Sequence, residues 1–288
     1  MLRTTFLLVS LTLAVIQAGE GDEDCDKLGT ILYEDISCKP VMKEGRKCPV
    51  KYDCHFDAKD NSCMFKGRSL SVGEHLDNDV TYDTCNVGCF CRIPEKFTCA
   101  VLDCPEWLGL PIQPGCYRKY EVDKCCSVGQ NCPTKTEHFG ECEVDGTKYM
   151  EGEKFYPKNT CLKCICPKNF TGKYEEPYCR RQSCAVQIRD SDKIERNCAP
   201  YYGTSNDSPI CCPSLWICPT PTDKITVVNP KVEKNPDLTC KFGEKTLQLG
   251  EGLFTKVDYY GTINEAKCEC ILPPWLTCRK VEAAAATE

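Results

Sequence analysis

Cys142-Glu143-Val144-Asp145-Gly146, then Glu151-Gly152-Glu153-Lys154-Phe155-Tyr156-Pro157, then Cys161-Leu162-Lys163-Cys164-Ile165-Cys166: this run continues through Cys179, Cys184, Cys198, Cys211-Cys212-Pro213 and Cys218. Ten cysteines fall between residues 142 and 218. So many half-cystines in so short a span read as a disulfide scaffold. The remainder of the chain is a second copy of this unit or half of one.

Alignment on the Cys-x-Cys pairs gives another full copy with cysteines at 63, 85, 89, 91, 99, 104, 116, 125, 126 and 132. The fifth-to-sixth spacing is five in both copies (99 to 104, 179 to 184), and the ninth-to-tenth spacing is six (126 to 132, 212 to 218). The flanks resolve as halves. Residues 240–278 read as a front half: Gly250-Glu251 lies ten residues after Cys240, as Gly152-Glu153 does after Cys142 and Gly73-Glu74 after Cys63. Cys268-Glu269-Cys270, Pro273 and Thr277-Cys278 match Cys89-Phe90-Cys91, Pro94 and Thr98-Cys99. Residues 25–54, with cysteines at 25, 38, 48 and 54, read as a back half in which Lys47 replaces the first cysteine of the doublet.

Composition sets the compartment. Cysteine supplies 28 of 288 residues, an even number that needs an oxidising environment to pair. Met1-Leu2-Arg3, the apolar run Phe6 to Ile16 and the small Ala18 read as a signal peptide over residues 1–18, too short for a membrane anchor. Secretion to the extracellular space follows, with no membrane insertion. The net charge is −6, and loss of Arg3 with the leader makes it −7, which disfavours nucleic acid or heparin as a partner. Arg180-Arg181, the one notable basic doublet, reads as a solvated pair in a loop.

The cysteine order resembles the von Willebrand factor type C (VWC) module of chordin and kielin/chordin-like secreted proteins: Cys-x2-3-Cys-x-Cys in the front half, and a Cys-Cys doublet followed by a last cysteine in the back half. The resemblance spans nearly all of residues 25–278. It departs in one respect, since five residues separate the doublet from the last cysteine. It implies a small disulfide-rich fold, mostly β and irregular, of tandem modules, each with a short-stranded front subdomain and a loop-rich back subdomain. Domains are then a back half (25–54), module 1 (63–132), module 2 (142–218), a Pro-rich linker (219–239), a front half (240–278) and a disordered tail (279–288).

Connectivity is not deducible from spacing; the resemblance implies it, as first with fourth, second with eighth, third with fifth, sixth with ninth and seventh with tenth. Module 1 then has Cys63-Cys91, Cys85-Cys125, Cys89-Cys99, Cys104-Cys126 and Cys116-Cys132. Module 2 has Cys142-Cys166, Cys161-Cys211, Cys164-Cys179, Cys184-Cys212 and Cys198-Cys218. The two halves lack the two partners of the front-to-back bridge and close as Cys25-Cys48 with Cys38-Cys54, and Cys240-Cys270 with Cys268-Cys278. No cysteine is stranded.

Bridges supply the stability that so small a core lacks, about 2–4 kcal/mol each. Thr147-Lys148-Tyr149-Met150 and Lys154-Phe155-Tyr156 read as hairpin strands separated at Gly152, and back halves as mostly loop. The linker, with prolines at 219, 221, 230 and 236, is expected to be extended, with Ile225-Thr226-Val227-Val228 available as an edge strand. An elongated molecule is expected.

Chemistry is sparse. His55, His75 and His138 share no metal-ligand spacing, Cys161-x2-Cys164 belongs to the disulfide frame, and no Gly-x-Ser-x-Gly or phosphate loop occurs. A non-enzyme without metal or cofactor is expected. Two sequons, Asn169-Phe170-Thr171 and Asn206-Asp207-Ser208, mark a glycoprotein.

Protein binding remains. The resemblance implies growth factors of the bone morphogenetic protein (BMP) and TGF-beta class as ligands of the front-half sheet, which makes Leu70, Val72, Leu76, Phe155, Tyr156, Leu253 and Phe254 candidate contacts. The same residues equally serve as subdomain core. Two alternatives stand beside modulation of BMP signalling. One is a matrix or secretion component that self-associates through its complementary terminal halves; the other is a cysteine-rich protease inhibitor presenting the loop Tyr201 to Ile210.

Overall fold

Each front half begins with a hairpin whose turn residues dictate its geometry. Ser62–Phe65 pairs with Arg68–Ser71 across Lys66-Gly67, and Glu141–Val144 with Thr147–Met150 across Asp145-Gly146. Both turn residues have positive φ (48° and 78°, 51° and 78°), the type I′ geometry that suits the twist of adjoining strands. Thr239–Phe242 likewise pairs antiparallel with Lys245–Gln248, across Gly243-Glu244, where Gly243 has the positive φ (56°). The computed structural model describes residue 25 and residues 27–55, 60–134, 139–205, 208–209, 211–259 and 261–281. The leader at 1–18, His138 and Asn206 lie outside the described residues.

The Gly-Glu pair that follows each hairpin is structural. Gly73, Gly152 and Gly250 adopt φ of 88°, 89° and 75°. Their amides donate to the carbonyls of Cys91, Cys166 and Cys270, whose own amides donate back to Glu74, Glu153 and Glu251. Each glutamate carboxylate then accepts the amide three residues before it: Ser71 at 3.0 Å, Met150 at 2.7 Å and Gln248 at 2.9 Å. The turn thus locks the first hairpin onto the strand carrying the Cys-x-Cys pair. It also separates two sheets: Lys154–Phe155 pairs with Leu162–Ile165, so the strands flanking Gly152 do not form a hairpin with each other.

Fourteen disulfides staple the described chain, leaving no free cysteine there. In both full copies the order is first with fourth (Cys63–Cys91, Cys142–Cys166), second with eighth (Cys85–Cys125, Cys161–Cys211) and third with fifth (Cys89–Cys99, Cys164–Cys179). Sixth joins ninth (Cys104–Cys126, Cys184–Cys212) and seventh joins tenth (Cys116–Cys132, Cys198–Cys218). The seventh-to-tenth bridges close the ends of short back-half hairpins. Cys38–Cys54, Cys116–Cys132 and Cys198–Cys218 have Cα separations of 4.5, 4.2 and 4.2 Å, the close spacing of non-hydrogen-bonded antiparallel pairs.

The back halves are not all loop. Lys27–Asp35 forms helix α1, while Val186–Arg189 and Ser191–Glu195 form short helices α2 and α3. All three lie between the sixth and seventh cysteines of their half. Their apolar side chains create the core that joins the chain. Ile31, Leu32 and Tyr33 of α1, with Ile36 in the turn that follows it, are buried with Val186, Leu272 and Trp275. Tyr33 stacks between Tyr52 and Trp275, with ring centroids at 4.6 and 5.6 Å, and its hydroxyl donates to the Leu272 carbonyl at 2.6 Å. The Tyr52 amide donates to the Pro273 carbonyl at 2.9 Å.

The two terminal halves therefore meet within one chain, and the expected elongated string is replaced by a closed arrangement. Neither half alone buries its aromatic face. Module 2's back half is the hub between them. Asp35 accepts the Ser183 hydroxyl and the amides of Cys184 and Val186 at 2.9, 2.8 and 3.1 Å. Ala199–Tyr202 runs parallel to Thr277–Lys280 in a six-stranded sheet that also takes in Leu215–Ile217, Thr262–Glu269, Glu251–Tyr259 and, at its edge, Thr226–Val227 of the linker. Arg279 and Lys280, assigned to the tail, continue this sheet. Arg180-Arg181 sits on a strand, and Arg181 pairs with Glu34 of α1.

Candidate protein-interaction surface

The seven front-half candidates separate into buried and exposed residues. Leu70 and Leu76 are buried with Phe65 and the Cys63, Cys89 and Cys91 sulfurs. Phe155 is buried against Val144, Tyr149 and Phe170, and Leu253 belongs to the core of the six-stranded sheet. These four cannot touch a partner; they are the subdomain cores. Their neighbours face outward: Val72, Tyr156 and Phe254 are 49, 51 and 61% exposed, on three different front halves. Of the sequons, Asn169 lies exposed in a turn. Tyr201 and Tyr202, at the start of the suggested inhibitory loop, are buried strand residues.

A larger apolar surface lies where front-half reasoning did not look. Between its sixth and seventh cysteines, module 1 reads Pro105-Glu106-Trp107-Leu108-Gly109-Leu110-Pro111-Ile112-Gln113-Pro114-Gly115. Three prolines and two glycines prevent the helix that forms at this place in the other two back halves. The segment is turns and irregular chain, and Trp107, Leu108, Leu110 and Ile112 are exposed. Val101 and Val128 of the same half are exposed as well. A visible signal existed in the sequence, since Trp-Leu-Gly-Leu-Pro-Ile combines strong apolarity with helix breakers. Such residues can neither pack as a helix face nor leave the surface.

The loop is carried on a firm base. Glu106 accepts the Ser127 amide and hydroxyl at 3.1 and 2.9 Å. Burial raises its carboxyl, but hydrogen bonds from its own amide and from Ser127, with the Lys154 charge, outweigh that and hold it below the usual glutamate range. Lys154 Nζ sits 4.3 Å from the centroid of the Tyr120 ring, and burial lowers its pKa against the opposing pull of Glu106. Burial raises the Tyr120 phenol, followed by the Glu106 charge, with a smaller contribution from Tyr156. The exposed Tyr156 of module 2 thus borders the network that anchors the loop of module 1. Backbone contacts reinforce the junction: the Tyr120 amide donates to Gly152 at 2.8 Å, and Tyr117 and Asn131 side chains donate to Glu151 at 3.0 and 2.8 Å.

His75 lies against Phe90, and His55 pairs with Asp53. The sulfurs of Cys85, Cys104, Cys125 and Cys126 lie within 4.8 Å of one another, but all four are consumed in the bridges Cys85–Cys125 and Cys104–Cys126. No described helix is long and apolar enough to cross a membrane.

These features define a disulfide-rich, mostly-β protein with one outward-facing apolar loop, and the bridges are compatible with an extracellular location. The chain matches no protein-family model, no curated protein and no solved structure.

Proposed function

We propose that this chain is a secreted, non-catalytic protein-binding protein built from two complete and two half VWC modules, and that it modulates extracellular growth factors of the BMP/TGF-beta class. The observation that carries the binding role is the exposed segment Trp107–Ile112, with Tyr156 at its border. Its counterparts in the N-terminal half and module 2 are buried, so the same scaffold position is used once for a partner and twice for the core. Exposed Trp and Tyr on a rigid support are the residues that dominate protein interfaces. The growth-factor class rests on the module resemblance.

Self-association through the terminal halves needs open ends, and here those ends occupy each other. Such assembly would require another surface.

Oxidised mature protein passed over immobilised BMP-class growth factors tests the reading, with solution mass measured on the same sample. Nanomolar binding that is lost on reduction, and weakened at least tenfold by Trp107→Ala, is the expected result. Absence of binding together with mass that grows with concentration would replace it with a self-assembling matrix component.

A further inference from the structure

A cavity of about 400 Å³ opens where the N-terminal half, module 1, module 2 and the C-terminal half converge. Its apolar surface comes from Ile36, Met64, Ile194 and Trp275. Ile36 and Trp275 are buried, and the Trp275 indole is held by its Nε1–H donating to Asn197 at 3.0 Å. This wall is therefore part of the folded hub. The opposite character is supplied by Asp60, Glu95 and Glu195, and among the described residues no Lys or Arg lines the cavity.

The acidic groups are uncompensated. Glu95, on the turn between strands Asn86–Ile93 and Lys96–Val101, and Glu195, at the end of α3, are carboxyls from different modules that line this one cavity close enough to act on each other. That contact raises the Glu95 carboxyl above its usual range, with burial and the Glu195 charge adding to it. Among the described residues no Lys or Arg forms an ion pair with Glu95, Glu195 or Asp60. Nearby Asp192, by contrast, has its own cation in Lys193 at 2.8 Å.

We propose that this junction cavity is a binding site for a small organic ammonium ion with an apolar body. The hydrocarbon part lies on Ile36, Met64, Ile194 and the Trp275 ring, and the ammonium lies between Glu95 and Glu195, where it separates two like charges. Its volume falls in the range of small-ligand pockets, and its lining has their composition of apolar walls with a few convergent polar groups. Neutral ligands of the same shape keep only the apolar part.

The test is isothermal titration of the intact oxidised chain at physiological salt with phenethylammonium and its neutral isostere 2-phenylethanol. Micromolar binding of the cation, at least tenfold tighter than the alcohol, is expected. Glu95→Gln combined with Glu195→Gln should erase the preference for the cation. Ile194→Trp, which fills the apolar side and leaves the carboxylates, should abolish binding of both. Thermal unfolding of each variant shows that the hub is intact. Equal affinity for the two probes, an unchanged preference in the double variant, or no heat up to millimolar ligand would overturn the proposal.

Discussion

Two segments occupy the same place in the disulfide frame and meet opposite fates. Residues 26–37, between Cys25 and Cys38, carry Ile31, Leu32 and Tyr33 on α1 and Ile36 just after it, and bury them in the hub; residues 105–115, between Cys104 and Cys116, carry Trp107, Leu108, Leu110 and Ile112 and expose them. Apolar content is similar. What differs is backbone: α1 has one glycine and no proline, so the helix and the turn after it gather their apolar side chains on one core, while the prolines and glycines of the second segment scatter them. In a protein whose covalent frame is set by bridges, such segments are free to become glue or surface.

The largest effect is expected for Tyr33→Ala, which removes a ring stacked on two others and a buried hydroxyl. A loss of about 4 kcal/mol in denaturant unfolding is anticipated, in the range for large aromatic truncations. An unchanged midpoint would mean that the terminal halves do not depend on this stack. Next, the Cys85→Ser, Cys125→Ser pair removes the front-to-back bridge that both terminal halves lack. It should cost about 2–4 kcal/mol, and non-reduced peptide mapping should show the other bridges kept.

Asp35→Asn should cost about 2 kcal/mol, because a charged acceptor shared by three donors becomes a neutral one. Hydrogen exchange should then accelerate at the Cys184 and Val186 amides and leave the Trp107 loop unaffected. Trp107→Ala, on the other side of the comparison, should change stability by under about 0.5 kcal/mol while it weakens partner binding. A destabilisation as large as that of Tyr33→Ala would show that the loop is core after all.

The smallest effect concerns acid. The Gln248 amide, then Lys234, hold the Glu251 carboxyl below its ordinary range. The native state therefore binds fewer protons than the unfolded chain, and this contribution is complete above the ordinary glutamate pKa and fades as pH falls through the lowered one. Glu251 is largely solvent-screened, so only a few tenths of a kcal/mol are expected. Glu251→Gln should flatten that part of the pH–stability curve, and an unaltered slope would assign the acid sensitivity elsewhere.

Much of the frame was legible because cysteine spacing is a one-dimensional signal. Gly152-Glu153 and its counterparts announced a turn for the same reason: a positive φ is a property of one residue. The Thr226–Val227 edge strand was readable from β-branched residues bounded by prolines. Core and surface within the front halves were harder. Leu70, Phe155 and Leu253 sit within one or two residues of the exposed Val72, Tyr156 and Phe254, and strands of two to four residues with the turns beside them show too short a pattern to reveal which face is covered.

Helix α1 was missed because the resemblance implied an irregular back half and because Leu28 to Ile36 amounts to little more than two turns. Such a helix is marginal without tertiary packing. The Glu95–Glu195 contact joins residues 100 positions apart in different modules, and the cavity between them has no local signature at all.

Read along the chain, the residues specify a disulfide-rich repeat, its front and back halves and the turns of the front halves. Tertiary structure alone decided that the two ends close on one another through Tyr33 and Trp275, that Trp107–Ile112 faces outward, and that carboxylates from two modules meet over an apolar cavity. The reason is the range of the forces. Cysteine order and backbone preference act along the chain, whereas apolar faces find their partners only when the folded halves bring distant segments together.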